Sequence, residues 1–433
     1  MGIVARFISF YAMKRAGLLI VCMLLLSGPL AMAQTTISSA RRVVSGVVYD
    51  RESNAELPHV AVAVVGTNIG TVTNADGEFT LKLSDEELTH GLKFSCVGYT
   101  NVQFSSEAIA AYQHRLKVQM APRSLMMGEV TIYGGTPREL VMQAIEKIPE
   151  NYSDIENLYT TFYRETVQKR RQHIAVSEAV MDLYKSPYTT RSIARDKVRL
   201  RKGRRLINHQ VSDTLAVKIV GGPSLALALD VVKNDEELLS YDEMEHYDFT
   251  MEAPVMLDNR MQHVIRVTPR VQLNYALFHG LIHIDQERGS FSRVELELDM
   301  SNPAAASALL LHRKPAGLRF KPQGVSFLIG YRQQGEKSYL NYVRSEFRFK
   351  CDWRRRLFSS TYTALSEMVM VDREENPEII RNRERFRSDQ IFYDEVDAYA
   401  DPDYWQDYNI LEPTESLENA VDRLRKRNAR ARE

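Results

Sequence analysis

The feature that most constrains this chain is a side-chain period of two that recurs over most of its length. Val294, Leu296, Leu298 and Met300 alternate with Arg293, Glu295, Glu297 and Asp299. Val343, Ser345, Phe347 and Phe349 alternate with Arg344, Glu346, Arg348 and Lys350. Val325, Phe327, Ile329 and Tyr331 repeat the pattern, as do Ile174, Val176 and Val180. Successive side chains of a strand point to opposite faces, so such runs predict long strands with one dry and one wet face, a pattern that suits antiparallel sheets. Residues 158–400 are therefore expected to form a large antiparallel β-rich domain, curled into a sheet or half-barrel around few helices. Gly280–Asp285, a turn over Gln286–Ser290 and a strand from 291 to 300 read as a hairpin within it.

A second, smaller set of strands precedes it. Val44, Gly46 and Val48; Val60, Val62 and Val64; Phe79, Leu81 and Leu83; and Leu92, Phe94 and Cys96 alternate in turn. Thr67–Thr71 and Asn74–Gly77 supply residues that accept positive φ between the second and third of these strands. Residues 43–120 are expected to form a small antiparallel β-sandwich. Between the two regions, over 121–157, Thr136-Pro137-Arg138-Glu139 has the form of a helix start with a capping box. Leu140, Ala144, Ile145 and Ile148 form its apolar stripe, and Pro149 is expected to end it.

Several blocks of the first region, in order, carry a family resemblance: Gly46–Asp50, Leu57–Val60, Gly66–Phe79 and Phe94–Tyr99. Together they resemble the carboxypeptidase regulatory-like domain, which implies a transthyretin-like sandwich that accompanies other domains and is not itself a peptidase. Gly128–Tyr133 resembles the strand that follows this sandwich in envelope receptors. A transport barrel is excluded, because about 22 strands of roughly ten residues do not fit in what remains. The strand pattern of the larger region resembles the half-barrels of periplasmic lipoprotein carriers. Residues 401–433, an acidic and aromatic tail followed by a helix, resemble the ends of envelope proteins with the same sandwich. Leu417, Val421 and Leu424 set the spacing of that helix. The tail either anchors a partner or clamps back over the chain's own sheet.

The amino terminus reads as an address. Met13-Lys14-Arg15, the apolar run Ala16–Leu26 and Ala31-Met32-Ala33 make a secretory signal peptide over 1–33, with cleavage after Ala33. Export to the periplasm or the outer membrane follows from it, with the mature chain peripheral to the membrane at most. The 433-residue chain balances 56 bases against 56 acids. Loss of Arg6, Lys14 and Arg15 leaves 53 against 56 and a formal charge of about −3. That balance and the export exclude a nucleic-acid partner. Cys22 leaves with the signal peptide, and Cys96 and Cys351 fall in different predicted domains, where two small buried residues are expected rather than a bridge.

No catalytic motif, cofactor fingerprint or zinc signature is present, so no catalytic, cofactor or metal residue is assigned. His279, His283 and Asp285 share one strand face and make a metal site conceivable; a partly exposed polar face explains them equally well. The one charge cluster is basic. Arg195, Lys197, Arg199 and Arg201, extended by Arg191, Lys202, Arg204 and Arg205, form a stripe that could hold an anionic glycan or lipid headgroup. Alternatively it is a solvated strand that discourages edge pairing. The acids of Asp235–Asp248 offer one neutralising partner. The reading that follows is a non-catalytic exported protein that binds an envelope protein, glycan or lipid. The alternatives are a carrier of an apolar ligand in a curled sheet, which requires a closed pocket, and a hydrolase with a dispersed site.

Overall fold

The computed structural model describes residues 41–112, 114–123, 135–207, 222–234, 238–310, 318–353, 359–401, 405 and 408–430. The signal peptide over 1–33 and the strand expected at Gly128–Tyr133 lie outside them. Among the described residues no helix is long and apolar enough to cross a membrane. From Arg41 onward the chain forms one compact unit.

The sandwich has two sheets. One has the order β4-β1-β7, from β1 (Arg42–Asp50), β4 (Glu78–Leu83) and β7 (Leu116–Met120). The other runs β3-β2-β5-β6, from β2 (Ala61–Val64), β3 (Gly70–Val72), β5 (Leu92–Ser95) and β6 (Val102–Phe104). The alternating residues meet in the middle, where Phe79 and Phe94 touch edge to face at 5.3 Å. Two expectations are corrected. The sandwich is not wholly antiparallel: β7 pairs parallel with β1, Gly46 opposite Leu116. The chain crosses between sheets through the helix Ser106–Ala111 before β7, and a crossover of that kind lets two strands run in the same direction. Thr67–Thr71 is a turn only in its first half. Gly66, at φ 71°, reverses the chain, and Gly70 already belongs to β3. The Asn74–Gly77 turn forms as predicted, with the Asn74 side chain accepting from the amides of Asp76 and Glu78 and Gly77 at φ 68°.

The linking helix spans Pro137–Glu146. The Thr136 hydroxyl accepts from the Glu139 amide at 3.2 Å, and the Glu139 carboxylate accepts from the Thr136 amide at 2.7 Å. The helix stops before Pro149, which sits inside a second short turn, Ile148–Asn151. The proline acts from a distance: it has no N–H to offer the Ile145 carbonyl four residues back.

Ten strands then form one open antiparallel sheet. They are β8 (Asn157–Lys169), β9 (Gln172–Lys185), β10 (Lys197–Ile207), β11 (Tyr247–Leu257), β12 (Arg260–Pro269), β13 (Phe278–Asp285), β14 (Phe291–Leu298), β15 (Leu318–Gln334), β16 (Lys337–Trp353) and β17 (Ser360–Glu375). The order is β10-β9-β8-β17-β16-β15-β14-β13-β12-β11, so β10 and β11 are its edges. The inner face is filled by the chain itself. Leu140, Val141 and Ile145 of the linking helix, with Val231, Val232 and Leu239, pack against strand residues such as Ile265, Ile282 and Met368. Among the described residues this core occupies the inner face.

On the outer face, Val72 of the sandwich and Leu411 of the tail pack on Phe162, Val180, Tyr342 and Val369. Residues 386–400 and the tail after them wrap the β10 edge. Phe386, Phe392 and Val396 pack on the inner side, and the Phe386 amide donates to the Val198 carbonyl at 2.7 Å. Beyond Ala400, Trp405 meets Phe162 edge to face, and the helix Glu415–Arg430 lays Leu417, Val421 and Leu424 on Val176 and Leu206. Cys96 and Cys351 are both free thiols.

Candidate functional site

From Lys197 onward the basic stripe lies on β10, with Arg191 and Arg195 in the β9–β10 connection, and the β9–β10 register decides the surroundings of the strand part. Arg199 stands opposite Asp182 and Arg204 opposite Glu178. Both acids lie on the outer face of β9 with side chains almost wholly shielded from solvent. Arg199 reaches Asp182 at 2.5 Å and Glu384 at 3.1 Å, and Arg201 reaches the other Asp182 oxygen at 2.5 Å. The bonds to Asp182 raise the affinity of Arg199 for its proton. Lys197 donates to the Ile380 carbonyl at 2.8 Å. Arg195, 61% exposed, pairs with Glu156 at 3.1 Å. Along the rest of the stripe Lys202 pairs with Asp401, Arg204 with Glu178 and Arg205 with Asp397, so the neutralising acids include Asp182, Glu178, Glu384, Glu156, Asp397 and Asp401; Asp235–Glu237 lie outside the described residues.

Glu178 also anchors a row of charges that crosses the outer face at one level. Arg344, Glu367, Arg164, Glu178 and Arg204 face one another on the neighbouring strands β16, β17, β8, β9 and β10, with alternating sign. Arg164 donates to Glu178 at 2.7 Å and to the Leu411 carbonyl of the tail at 2.8 Å. Burial opposes the charge on Glu178, but Arg164 and Arg204 outweigh it and hold the carboxyl below its usual range. A one-residue slip of any of these strands would send its charge to the apolar face, so the row fixes register.

His279, His283 and Asp285 fall on β13 as read, but they do not converge. Asp285 accepts from the amides of Glu287 and Arg288 at 3.0 and 3.1 Å, closing the hairpin turn, and meets Arg260 at 3.4 Å. Buried His283 lies 3.6 Å from Glu295. That ring and Arg293 hold the Glu295 carboxyl down to about 2. Among the described residues no group of three His, Cys, Asp or Glu is placed to hold a metal ion.

The densest polar cluster has no counterpart in the sequence reading. At the end of β9, Lys185 meets Asp230 at 2.7 Å and Asp196 at 3.2 Å. Lys233 meets Asp196 at 2.5 Å and donates to the Ser186 carbonyl and hydroxyl at 2.5 and 3.0 Å. The Tyr188 and Tyr331 hydroxyls donate to Asp230 at 2.6 and 2.7 Å. All four charged side chains are at most 1% exposed. Burial works against the Lys185 ammonium, yet Asp230 and Asp196 raise its pKa. Burial, reinforced by Lys185, holds Lys233 down to about 8. The Ser186 hydroxyl beside a depressed lysine has the atoms of a serine–lysine hydrolase. Its proton, however, is donated to Asp196 at 2.9 Å, and solvent does not reach the pair. What this arrangement does is join β9, the β9–β10 connection, the 222–234 segment and β15 at one point. One further buried acid, Glu165, accepts from the Tyr163 hydroxyl at 2.7 Å, and burial pushes its pKa up to about 8.

Residues 44–132 match the model of the CarboxypepD_reg-like domain. From residue 44 onward the sandwich lies within that match. No curated protein matches the chain. Among solved structures, a domain assigned to outer-membrane lipoprotein sorting from Vibrio parahaemolyticus aligns with 57% of this chain and 96% of its own, at 11% identity and a TM-score of 0.26. MucB in complex with MucA(peri) aligns over 56% and 100%, at 13% identity and a TM-score of 0.19. A DUF1329 family protein from Desulfovibrio piger aligns over 59% and 100%, at 8% identity and a TM-score of 0.26. Likenesses this distant say nothing about what the chain binds.

Proposed function

We propose that this chain is an exported, non-catalytic envelope protein that binds or holds a partner at the periplasmic face of the outer membrane. The observation that carries the reading is the internal compensation of its polar groups. The buried lysines and aspartates satisfy one another, the stripe is countered by Asp182, Glu384 and Glu156, and the inner face of the sheet is filled by the chain's own helices. A CarboxypepD_reg-like domain fixed to such a sheet offers surfaces rather than a reaction chamber. Asn68 donates to the Arg373 carbonyl at 2.6 Å, Arg332 to the Asn68 carbonyl at 2.7 Å and Lys93 to Asp258 at 2.9 Å, so the sandwich is presented in one orientation.

The test is purification of the full chain from its own envelope after in-cell cross-linking, followed by native mass spectrometry and amino-terminal sequencing. The expected result is a chain beginning at Gln34, free of small ligands and cross-linked to a defined envelope protein. A retained lipid would replace the reading with the carrier, and turnover of a peptide, ester or glycoside would replace it with the hydrolase.

A further inference from the structure

We infer that the open half of β1 is a docking site at which an extended, acidic segment of a partner protein adds a strand beside Arg42–Ser45. The inference deepens the binding reading and rests on it. Three observations meet at this spot.

The first is the edge. β1 is the middle strand of its sheet, but its neighbours differ in reach. β4 pairs with it from Arg42 to Val47, whereas β7 begins only opposite Gly46. Among the described residues no strand pairs with the β7 side of Arg42–Ser45 and no main-chain hydrogen bond reaches it. Unpaired donors and acceptors along a strand are a template for another strand.

The second is a groove of about 330 Å³ along these same four residues, walled by the helix Ser106–Ala111. Its volume falls at the small end of ligand-sized sites, roughly 300–1,000 Å³. Leu88, Ile109 and Leu116, all buried, form the apolar floor. The third is what stands around it. Val43, 64% exposed, and Tyr112, 46% exposed, are two of the few large apolar side chains the described surface leaves open, and both line this groove.

The rim identifies the occupant. Arg42, His114 and Arg115 line it. Arg115 shares its charge with Glu78 at 2.9 Å, while Arg42 makes no ion pair among the described residues. A strand lying here turns alternate side chains toward the floor and toward this basic rim, so the fitting segment alternates apolar and acidic residues.

The test uses the full mature chain and two labelled synthetic peptides, one alternating glutamate and valine, the other lysine and valine. Fluorescence anisotropy reads affinity, and amide hydrogen exchange reads strand addition. The glutamate peptide is expected to bind at least about tenfold tighter than the lysine peptide and to slow exchange at residues 42–45. Arg42→Glu is expected to reverse that preference and Val43→Asp to weaken both peptides, with thermal unfolding unchanged because both side chains are exposed. Equal binding of the two peptides, unslowed exchange at 42–45, or indifference to Arg42→Glu would overturn the inference. So would amides 42–45 that are already protected in the free chain: concentration-dependent protection would mean a second copy fills the groove, and constant protection would mean the chain covers it itself. If the double variant loses the peptide yet still cross-links its envelope partner, the groove alone falls. If no partner is found at all, the broader binding reading falls with it.

Discussion

The two halves of the molecule solve the same problem differently. The sandwich buries an almost purely apolar core between two small sheets: Val48, Val62, Phe79, Leu81, Phe94 and Val118 have essentially no exposure. Each such side chain contributes roughly 1.5–3 kcal/mol on burial. The ten-strand sheet does not close on itself. The linking helix, residues 222–234 and 238–244, the sandwich and the tail cover its two faces, and polar groups drawn into the interior tie down two of these covers: Lys185, Lys233, Asp196 and Asp230 hold the 222–234 segment, and Arg164, paired with Glu178, holds the tail through the Leu411 carbonyl. An apolar face accepts any oily neighbour. A buried ion pair accepts one geometry, which is what an open sheet covered by remote segments requires.

The comparison breaks most readily at Asp230. Asp230→Ala leaves Lys185 without its nearest counter-ion and strips the Tyr188 and Tyr331 hydroxyls of their acceptor. The expected loss is about 3–5 kcal/mol in denaturant unfolding. Adding Lys185→Met should recover part of it, because the charge left alone is then gone. No recovery in the double variant would mean that the network is not what joins the sheet to its covering segments.

Glu165 sharpens the contrast through pH. Its carboxyl titrates near 4.5 in the unfolded chain and is raised to about 8 in the fold. Below 4.5 both states hold the proton and nothing is lost. As pH rises from there the unfolded state releases its proton first, so the folded state is progressively disfavoured until about 8. Glu165→Gln keeps an acceptor for Tyr163 and removes this slope. The variant should match the parent at acid pH and exceed it near pH 8, with ~1.4 kcal/mol per pKa unit as an upper limit. Parallel stability curves across that range would place Glu165 in contact with water.

These differences also set what the sequence could reveal. The sandwich strands, the capping box at Thr136 and the 280–300 hairpin depend on neighbours in sequence, and alternation or spacing exposes them. The fate of the basic stripe depends on pairing. Glu178 sits in phase with Val176 and Val180, an acid on what looks like an apolar stripe, and pairing Gln172–Lys185 with Lys197–Ile207 would have set it against Arg204. That was the available signal. The Lys185–Asp196–Asp230–Lys233 cluster gave none, since its members come from separate segments with no shared period. The parallel β1–β7 pair was hidden for a related reason: partners some seventy residues apart leave no local trace of their direction.

A smaller effect is expected where residues 386–400 wrap the β10 edge. A side chain at Gly203 would begin 2.4 Å from the Val396 methyl and 3.1 Å from the Glu178 carbonyl. Gly203→Val should therefore lift 386–400 from the sheet at a cost of about 1–3 kcal/mol. Hydrogen exchange would quicken at the Phe386 amide, which the Val198 carbonyl holds, while the sandwich amides, outside this clamp, stay protected. Uniform quickening throughout would show the two halves unfolding as one.

The smallest effect belongs to Arg195, and it bears on what the stripe is for. Arg199 and Arg201 share a fully buried acid, but Arg195 reaches into solvent and holds only the partly exposed Glu156. An exposed pair contributes roughly 0–1 kcal/mol, so Arg195→Gln should leave thermal unfolding almost unchanged. If β10 is only a wall of the fold, binding to vesicles carrying anionic lipid should be unchanged as well, since the other bases are already held by Asp182, Glu384 and the Ile380 carbonyl. A variant of native stability that loses vesicle binding would instead make the solvent end of β10 an anionic-ligand surface, with Arg195 its leading contact.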